Sequence, residues 1–83
     1  MKKSRHTADY QRMCRLLAQL RDEAGLTQAQ VANQLGVPQS FVSKYESGTR
    51  RLDIVELRRI IDVLGVMPGT FLHQLDPSWL QSE

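Results

Sequence analysis

The segment "LTQAQVANQLGVPQSFVSKYESG", residues 26–48, carries the signals for two short helices joined by a tight turn. Thr27 and Gln30 have the spacing of a capping box, in which each side chain bonds to the other residue's backbone N–H at the start of a helix. Gly36 can adopt the left-handed conformation that ends this helix, and Pro38 introduces the next one. The pattern therefore predicts a pair of helices connected by a turn of about three residues.

The second of these helices has an unusual polar face. Val42 and Tyr45 fall on one side at helical spacing. The opposite side carries short polar residues with almost no charge, namely Gln39, Ser40, Ser43, Lys44 and Ser47. A face that only meets water favours Glu and Lys, which form helices better than Ser does. The composition of this face therefore indicates a role other than solvation.

Three further helices are predicted around this pair. The first begins at a Thr7 cap and stops at Gly25. Asp53 and Glu56 form a second capping box that opens a fourth helix, and a fifth lies between Pro68 and Pro77. No segment shows the alternation of a strand, so the sequence predicts an all-α bundle of five helices.

Arg21 breaks the apolar pattern of the first helix. It lies four positions after Leu17, so it points along the stripe of residues that faces the core. An unpaired charge in that position would be costly because the core is a poor solvent for ions. The sequence therefore requires a partner for Arg21.

Length and composition limit the function. With 83 residues, 41% of them apolar and 24% charged, the chain is expected to form one domain over residues 1–83. We expect residues 1–6 to be a flexible basic N-terminus and residues 76–83 to be a C-terminal tail. No apolar run approaches the roughly 18 residues of a membrane span, and the N-terminus lacks the apolar stretch of a signal peptide. These features predict a cytoplasmic protein.

The residue types for catalysis or metal binding are scarce. Cys14 is the single cysteine, and the two histidines, His6 and His73, lie near opposite ends of the chain. This set provides no spacing for metal ligands, and the chain shows no glycine-rich phosphate loop or paired-carboxylate motif. We therefore expect no metal, no cofactor and no enzymatic activity.

The formal net charge is only +2, but its distribution is uneven. Six basic residues lie within the first 21 positions against one acid, Asp9, and five more lie between Lys44 and Arg59. From Asp62 to Glu83 there is no Lys or Arg. One side of the molecule could therefore meet a polyanion while the C-terminal part remains free for other contacts.

The segment from Leu16 to Leu75 resembles the Cro/repressor-type helix-turn-helix domain, also called the xenobiotic-response-element (XRE) family, of bacterial and phage transcription regulators. The resemblance is carried by "LTQAQVA", the Gly36 turn, "VSKYESG" and "LRRIIDVLGV". It implies a five-helix lambda-repressor-like fold and a sequence-specific transcription regulator whose partner is double-stranded DNA, and we expect it to be a repressor. In similar proteins the third helix lies in the major groove, where each base pair presents its own pattern of donors and acceptors.

The resemblance also implies roles for individual residues. The positions that match the base-reading residues of the family are Gln39, Ser40, Ser43 and Lys44. Gln28 matches a phosphate anchor, and Arg50 and Arg51 are expected to contact phosphates from the following loop. Phe41 either touches a thymine methyl or sugar or covers the edge of the second helix. Arg58 and Arg59 are expected to lie on a solvated face.

Two structural features follow from the same resemblance. In similar domains an arginine at the position of Arg21 pairs with a glutamate that matches Glu46, which would supply the partner that Arg21 requires. Pro38 departs from the family pattern because Ser or Thr often caps the recognition helix there. We therefore expect this helix to lack a side-chain cap.

A single module covers only about 600–1,000 Å² on DNA, so we expect a homodimer on a pseudo-palindromic operator. The apolar residues expected at the dimer interface lie in the C-terminal part and are Phe71, Leu72, Trp79 and Leu80. The alternative for Trp79 is that it folds back onto its own chain. A second possible function is that of an antitoxin, or of a controller of restriction-modification genes, whose main partner is a toxin or another protein.

Overall fold

The computed structural model describes the backbone of residues 2–80 and the side chains of residues 8–78, hereafter the described residues. Within residues 2–80 the chain forms five α-helices and one short 3-10 helix, and no strand. Their bounds are α1 Lys2–Glu23, α2 Gln28–Leu35, α3 Gln39–Ser47, α4 Ile54–Leu64, α5 Pro68–Leu75 and the 3-10 helix Pro77–Leu80. The all-α prediction is confirmed, and the 3-10 helix was not predicted.

The predicted start of the first helix is wrong. Helix α1 begins at Lys2, so Thr7 lies inside the helix instead of capping it. The capping pattern of Thr7 and Asp9 was a local signal, and local signals leave helix starts uncertain by several residues. The expectation of a flexible N-terminus over residues 1–6 stays a prediction.

Both predicted capping boxes are confirmed. Thr27 Oγ1 accepts from the Gln30 backbone N at 3.0 Å, and Gln30 Oε1 accepts from the Thr27 backbone N at 2.8 Å. At the start of α4, Asp53 Oδ1 accepts from the Glu56 backbone N at 2.7 Å, and Glu56 Oε1 accepts from the Asp53 backbone N at 3.0 Å. These bonds satisfy donors that a helix start leaves without intrahelical partners.

The turn between α2 and α3 sets the direction of α3 relative to α2. Gly36 adopts φ +74°, and the Val37 backbone N donates to the Ala32 carbonyl at 3.0 Å. Pro38 precedes α3 with extended backbone and contributes no side-chain oxygen to its first turn, as expected. The turn is therefore fixed by its own backbone hydrogen bonds and by a glycine in the left-handed region.

The core lies where α2 and α3 meet the other helices. Its members come from every α-helix and are Leu17, Leu20, Val31, Ala32, Leu35, Val42, Tyr45, Ile60, Ile61, Leu64 and Phe71. Each large side chain buried in this way stabilises the fold by about 1.5–3 kcal/mol. Since Val42 and Tyr45 occupy the inner face of α3, its polar face is turned away from the core.

Tyr10 fastens the loop between α3 and α4 to α1. Its hydroxyl donates to the Arg50 carbonyl at 2.7 Å and accepts from the Leu52 backbone N at 3.0 Å. The Arg51 guanidinium lies over its ring at 4.3 Å from the centroid, a cation–π arrangement. Hydrogen bonds between residues 40 positions apart leave no local signal, so the sequence did not indicate this role of Tyr10.

Gly48, which ends α3, is held against α1. It has φ +86°, and a Cβ built on it would collide with the side-chain amide of Gln11. By contrast, a Cβ at Gly36 would meet no described atom within 4 Å, although its φ of +74° is also left-handed. Gly69 in α5 has neither constraint among the described atoms.

Three alanine substitutions separate these effects. We expect Gly36→Ala to lower the free energy of unfolding by about 1–2 kcal/mol, because a Cβ is strained in the left-handed region. Gly48→Ala should lower it by a similar amount, because the Gln11 amide is the end of a flexible side chain and can move aside at little cost. Gly69→Ala should raise it by about 0.4–1 kcal/mol, because alanine restricts the unfolded chain. Urea unfolding followed by circular dichroism measures all three, and an unchanged stability in Gly36→Ala would contradict the strain at its left-handed backbone.

Candidate nucleic-acid interface

The polar face of α3 is open to solvent. Val42 and Tyr45 are 0% and 1% exposed, so they fix the orientation of the helix about its own axis. The opposite face consists of exposed side chains, Gln39, Ser40, Ser43, Lys44 and Ser47. The structure thus brings the four residues predicted to read bases together on one accessible surface.

Arg21 and Glu46 form a bidentate ion pair between α1 and α3. Arg21 Nε donates to Glu46 Oε2 at 2.7 Å, and Arg21 Nη2 donates to Glu46 Oε1 at 3.1 Å. The side chains are 15% and 8% exposed, and the hydrogen bond to Glu46 raises the pKa of the guanidinium. Arg21 Nη1 also donates to the Leu26 carbonyl at 2.9 Å, so the same group fixes the chain that leads into α2.

Gln28 connects this ion pair to the exposed face of α3. Its Nε2 donates to Glu46 Oε1 at 2.9 Å, and its Oε1 faces Gln39 Nε2 at 3.5 Å. The sequence predicted Gln28 as a phosphate anchor and Gln39 as a base reader. It did not predict that Glu46 would bind the amide of Gln28, or that the amide of Gln28 would lie next to that of Gln39.

Arg50 is engaged within the protein. Its Nη2 lies 3.1 Å from Glu56 Oε2, its Nη1 donates to the Arg51 carbonyl at 2.6 Å, and its guanidinium stacks 4.3 Å from the centre of the Phe41 ring. The half-buried Phe41 ring also makes an edge contact with Tyr45, with centroids 5.8 Å apart. Phe41 therefore packs against the core, and its two predicted roles, a contact with DNA or cover for the edge of α2, stay predictions, while Arg51 is exposed beside Tyr10.

Arg59 is exposed, as expected, and it also bonds within the protein. Its Nη2 donates to the Leu35 carbonyl at 3.2 Å, so it binds the last residue of α2. A cation at this position complements the negative end of the α2 dipole. Arg58 is exposed, as expected, and borders an apolar groove between α4 and α5.

The exposed apolar surface differs from the one that was predicted. Phe71 is only 1% exposed and belongs to the core, so its assignment to a dimer interface is wrong. The exposed large apolar side chains among the described residues are Ile54 at 76%, Met67 at 71%, Val55 at 61% and Leu72 at 37%. Helical spacing could not separate Phe71 from Leu72, because both lie on the apolar side of the short helix α5 and the pattern does not show which of them meets the core. The side chains of Trp79 and Leu80 lie outside the described residues.

Burial perturbs three other groups near the interface. It raises the pKa of the Tyr45 hydroxyl, the Tyr10 hydroxyl and the Cys14 thiol. Cys14 is 0% exposed, so its thiol is an inert part of the core. Among the described residues, no group of three or more His, Cys, Asp or Glu could hold a metal ion. In the same part of the chain, the helices are too short or too polar to cross a bilayer.

Comparison with known proteins gives a consistent picture. Residues 11–75 match the family model of the helix-turn-helix domain. The HTH-type transcriptional regulator RamB of Mycobacterium tuberculosis, in two strains, is 37% identical over 65 residues. These residues make up 78% of this chain but 14% of RamB, so the chain corresponds to a small part of that regulator.

A solved structure resembles nearly the whole chain. It is an XRE-family like protein from Pseudomonas syringae pv. tomato, with 42% sequence identity and a TM-score of 0.85. The match covers 93% of this chain and 94% of that protein's chain. Both the sequence and the arrangement of the helices are therefore shared with this neighbour.

The ion pair provides a stability test. Arg21→Ala leaves the carboxylate of Glu46 without its bidentate partner in a poorly solvated site, which costs about 3–5 kcal/mol. A domain of this size has roughly 4–12 kcal/mol of total stability, so the variant should be barely folded. Thermal unfolding followed by circular dichroism measures the effect.

Two controls accompany this test. Arg12→Ala removes an exposed ion pair, with Arg12 Nη1 3.5 Å from Asp9 Oδ1 and side chains 53% and 58% exposed, and should change stability by less than about 1 kcal/mol. The double variant Arg21→Met with Glu46→Leu should recover much of the loss, because no charge is left alone. Similar melting temperatures for Arg21→Ala and Arg12→Ala would show that the Arg21 pair has no special role.

Proposed function

The chain belongs to the XRE, or Cro/repressor-type, family of helix-turn-helix domains, and on this premise we propose that it represses transcription by binding a pseudo-palindromic operator as a homodimer. Its membership in the family makes it a DNA-binding transcriptional regulator. Repression, dimerisation and the assignment of the residues that read the operator are our proposals. The observation that carries the proposal is the exposed, short-chained polar face on α3.

The shape of α3 suits the major groove. The groove is about 12 Å wide and admits one α-helix, provided that the side chains facing the bases are short or can lie along them. Ser40 and Ser43 satisfy this condition, and the buried Val42 and Tyr45 hold the helix rigidly. The amide of Gln39 can accept from adenine N6 and donate to adenine N7, and Lys44 can serve guanine or a phosphate.

The groups expected to contact phosphates differ in whether they already form bonds within the protein. Arg51 is exposed, and the start of α2 offers backbone N–H groups beside Gln28, so we assign phosphate binding to these two places. Arg50 already pairs with Glu56 and stacks on Phe41, so its main contribution is to hold the loop after α3. A phosphate contact by Arg50 would have to coexist with these bonds.

We place the dimer contact on the exposed apolar patch, which we define as Ile54, Val55, Met67 and Leu72. Ile54 and Leu72 line the groove between α4 and α5, and exposed apolar side chains of this size are typical of a protein–protein interface. Trp79 and Leu80 stay predictions as additional contacts. To read a pseudo-palindrome, a second copy bound here has to place the two recognition helices about 34 Å apart, one turn of DNA. The predicted cytoplasmic location is part of the same proposal.

Selection of bound sequences from a random DNA pool tests the base-reading role. Gln39→Ala should weaken binding to the selected site by about 1–3 kcal/mol and relax the preference at one base pair. Arg51→Ala should weaken binding to all sequences alike and flatten the dependence on salt, because it removes a phosphate contact. Equal losses on the selected site and on random DNA for Gln39→Ala would exclude Gln39 as a base reader.

Sedimentation at micromolar concentration tests the dimer. Ile54 is the first residue of α4, where an aspartate is favourable for the helix, so Ile54→Asp should disrupt the patch without unfolding the domain. We expect a dimer for the wild type and a monomer for this variant. Ala29→Asp, an exposed position in the first turn of α2 where an aspartate is also favourable for the helix, is the matched control and should leave the dimer intact. A monomeric wild type that gains a different protein on purification from its host would instead favour the antitoxin or controller function.

A further inference from the structure

Four side chains form a continuous line from the interior of the protein to the tip of the recognition helix. Arg21 donates twice to Glu46, Gln28 Nε2 donates to Glu46 Oε1 at 2.9 Å, and Gln39 Nε2 lies 3.5 Å from Gln28 Oε1. The line passes from α1 to the end of α3, then to the start of α2, and back to the start of α3. It therefore joins the ion pair to the residue proposed to read a base.

The direction of the hydrogen bonds along this line is fixed. An ionised carboxylate only accepts hydrogen bonds, and an arginine only donates them. Glu46 Oε1 accepts from both Arg21 and Gln28, so Gln28 must turn its NH₂ group toward Glu46. Its carbonyl oxygen then necessarily faces Gln39. The reversed orientation of Gln28 would place two oxygens against each other beside the ion pair.

The same reasoning orients the amide of Gln39. Since Gln28 presents an oxygen, Gln39 turns its NH₂ group toward Gln28 and uses one of its two N–H bonds there. One N–H and the carbonyl oxygen remain for DNA. This combination of one donor and one acceptor fits adenine N7 and N6, whereas guanine presents two acceptors, N7 and O6.

We propose that Glu46 is a positioning residue that sets the base preference of Gln39 through Gln28, although Glu46 itself does not touch DNA. The inference rests on the proposed function, in which Gln39 reads a base. It assigns to the buried carboxylate a second role besides stability. The fixed acceptor at the inner end of the line decides whether Gln39 offers the bases a donor and an acceptor or only donors.

Glu46→Gln removes the fixed polarity of the line while keeping its shape. An amide has one oxygen and one NH₂ group, whereas Arg21 donates to both carboxylate oxygens, so the NH₂ group of the new side chain meets an Arg21 N–H in either orientation. Either its oxygen or its NH₂ group can then face Gln28, so Gln28 is no longer held in one orientation. Gln39 can then present to the bases either a donor and an acceptor or only donors, and its preference for adenine over guanine should weaken.

The experiment uses the 83-residue chain and four DNA duplexes that differ only at the base pair whose preference Gln39→Ala relaxes. Fluorescence anisotropy gives the affinity for each duplex and for random DNA, below the melting temperature of each variant. We expect Glu46→Gln to lower the adenine-over-guanine affinity ratio by about tenfold, while its affinity for random DNA stays near the wild-type value. Gln28→Met, which removes the linking amide, should weaken the preference without reversing it.

Arg21→Lys is the matched control for structural effects. Lysine loses the bidentate geometry and lowers the melting temperature, but the carboxylate of Glu46 remains and Gln28 keeps its orientation. The adenine preference should therefore be unchanged in Arg21→Lys. A Glu46→Gln variant that keeps the wild-type preference would overturn the inference, as would losses of preference in both variants in proportion to their loss of stability.

The outcomes also separate the inference from the proposed function. If the wild type shows no sequence preference, or if Gln39→Ala relaxes none, the base-reading function fails and the inference fails with it. If the wild type and Gln39→Ala behave as proposed but Glu46→Gln does not change the preference, only the role of Glu46 fails.

Discussion

The bidentate bond between Arg21 and Glu46 is the interaction on which the rest of the structure depends. It joins α1 to the end of α3, and the Arg21 bond to the Leu26 carbonyl fixes the approach to α2. The desolvation of both charges is offset only because each has several well-placed partners. An ion pair of this kind adds little net stability compared with an apolar replacement. Its hydrogen bonds form, however, only when α1, α3 and the start of α2 lie in this arrangement.

The recognition helix needs this constraint because its own cap is weak. Pro38 gives α3 a favourable entry but no side-chain acceptor, and α3 is only nine residues long. Its position is therefore set by the residues around it. Val42 and Tyr45 anchor the inner face, Glu46 holds the C-terminal end, and the stack of Arg50 on Phe41 covers the side facing α4.

The contacts that hold α3 in place also determine where its exposed side chains lie. The face proposed to meet DNA carries one cation, Lys44, and the exposed arginine proposed to bind phosphate, Arg51, lies in the loop that follows α3. Two of the arginines in this region are used internally, by Glu56 and by the end of α2. A count of basic residues thus overstates the charge available for DNA, because arginine also serves as a structural donor.

The sequence by itself determined helices α2 to α5, the two capping boxes, the turn at Gly36 and the polar face of α3, because these depend on residues within one or two turns of each other. It also showed that Arg21 requires a partner, although only the resemblance to a family indicated Glu46. The tertiary structure decided which amide group Gln28 turns toward Glu46, that Arg50 and Arg59 bond within the protein, and that Phe71 is buried while Ile54 and Met67 are exposed. These features depend on the crossing angles and axial rotations of helices that lie far apart in the chain. The local pattern does not show how far each helix is rotated about its axis, and that rotation decides which apolar residues are buried and which hydrogen-bond partners are within reach.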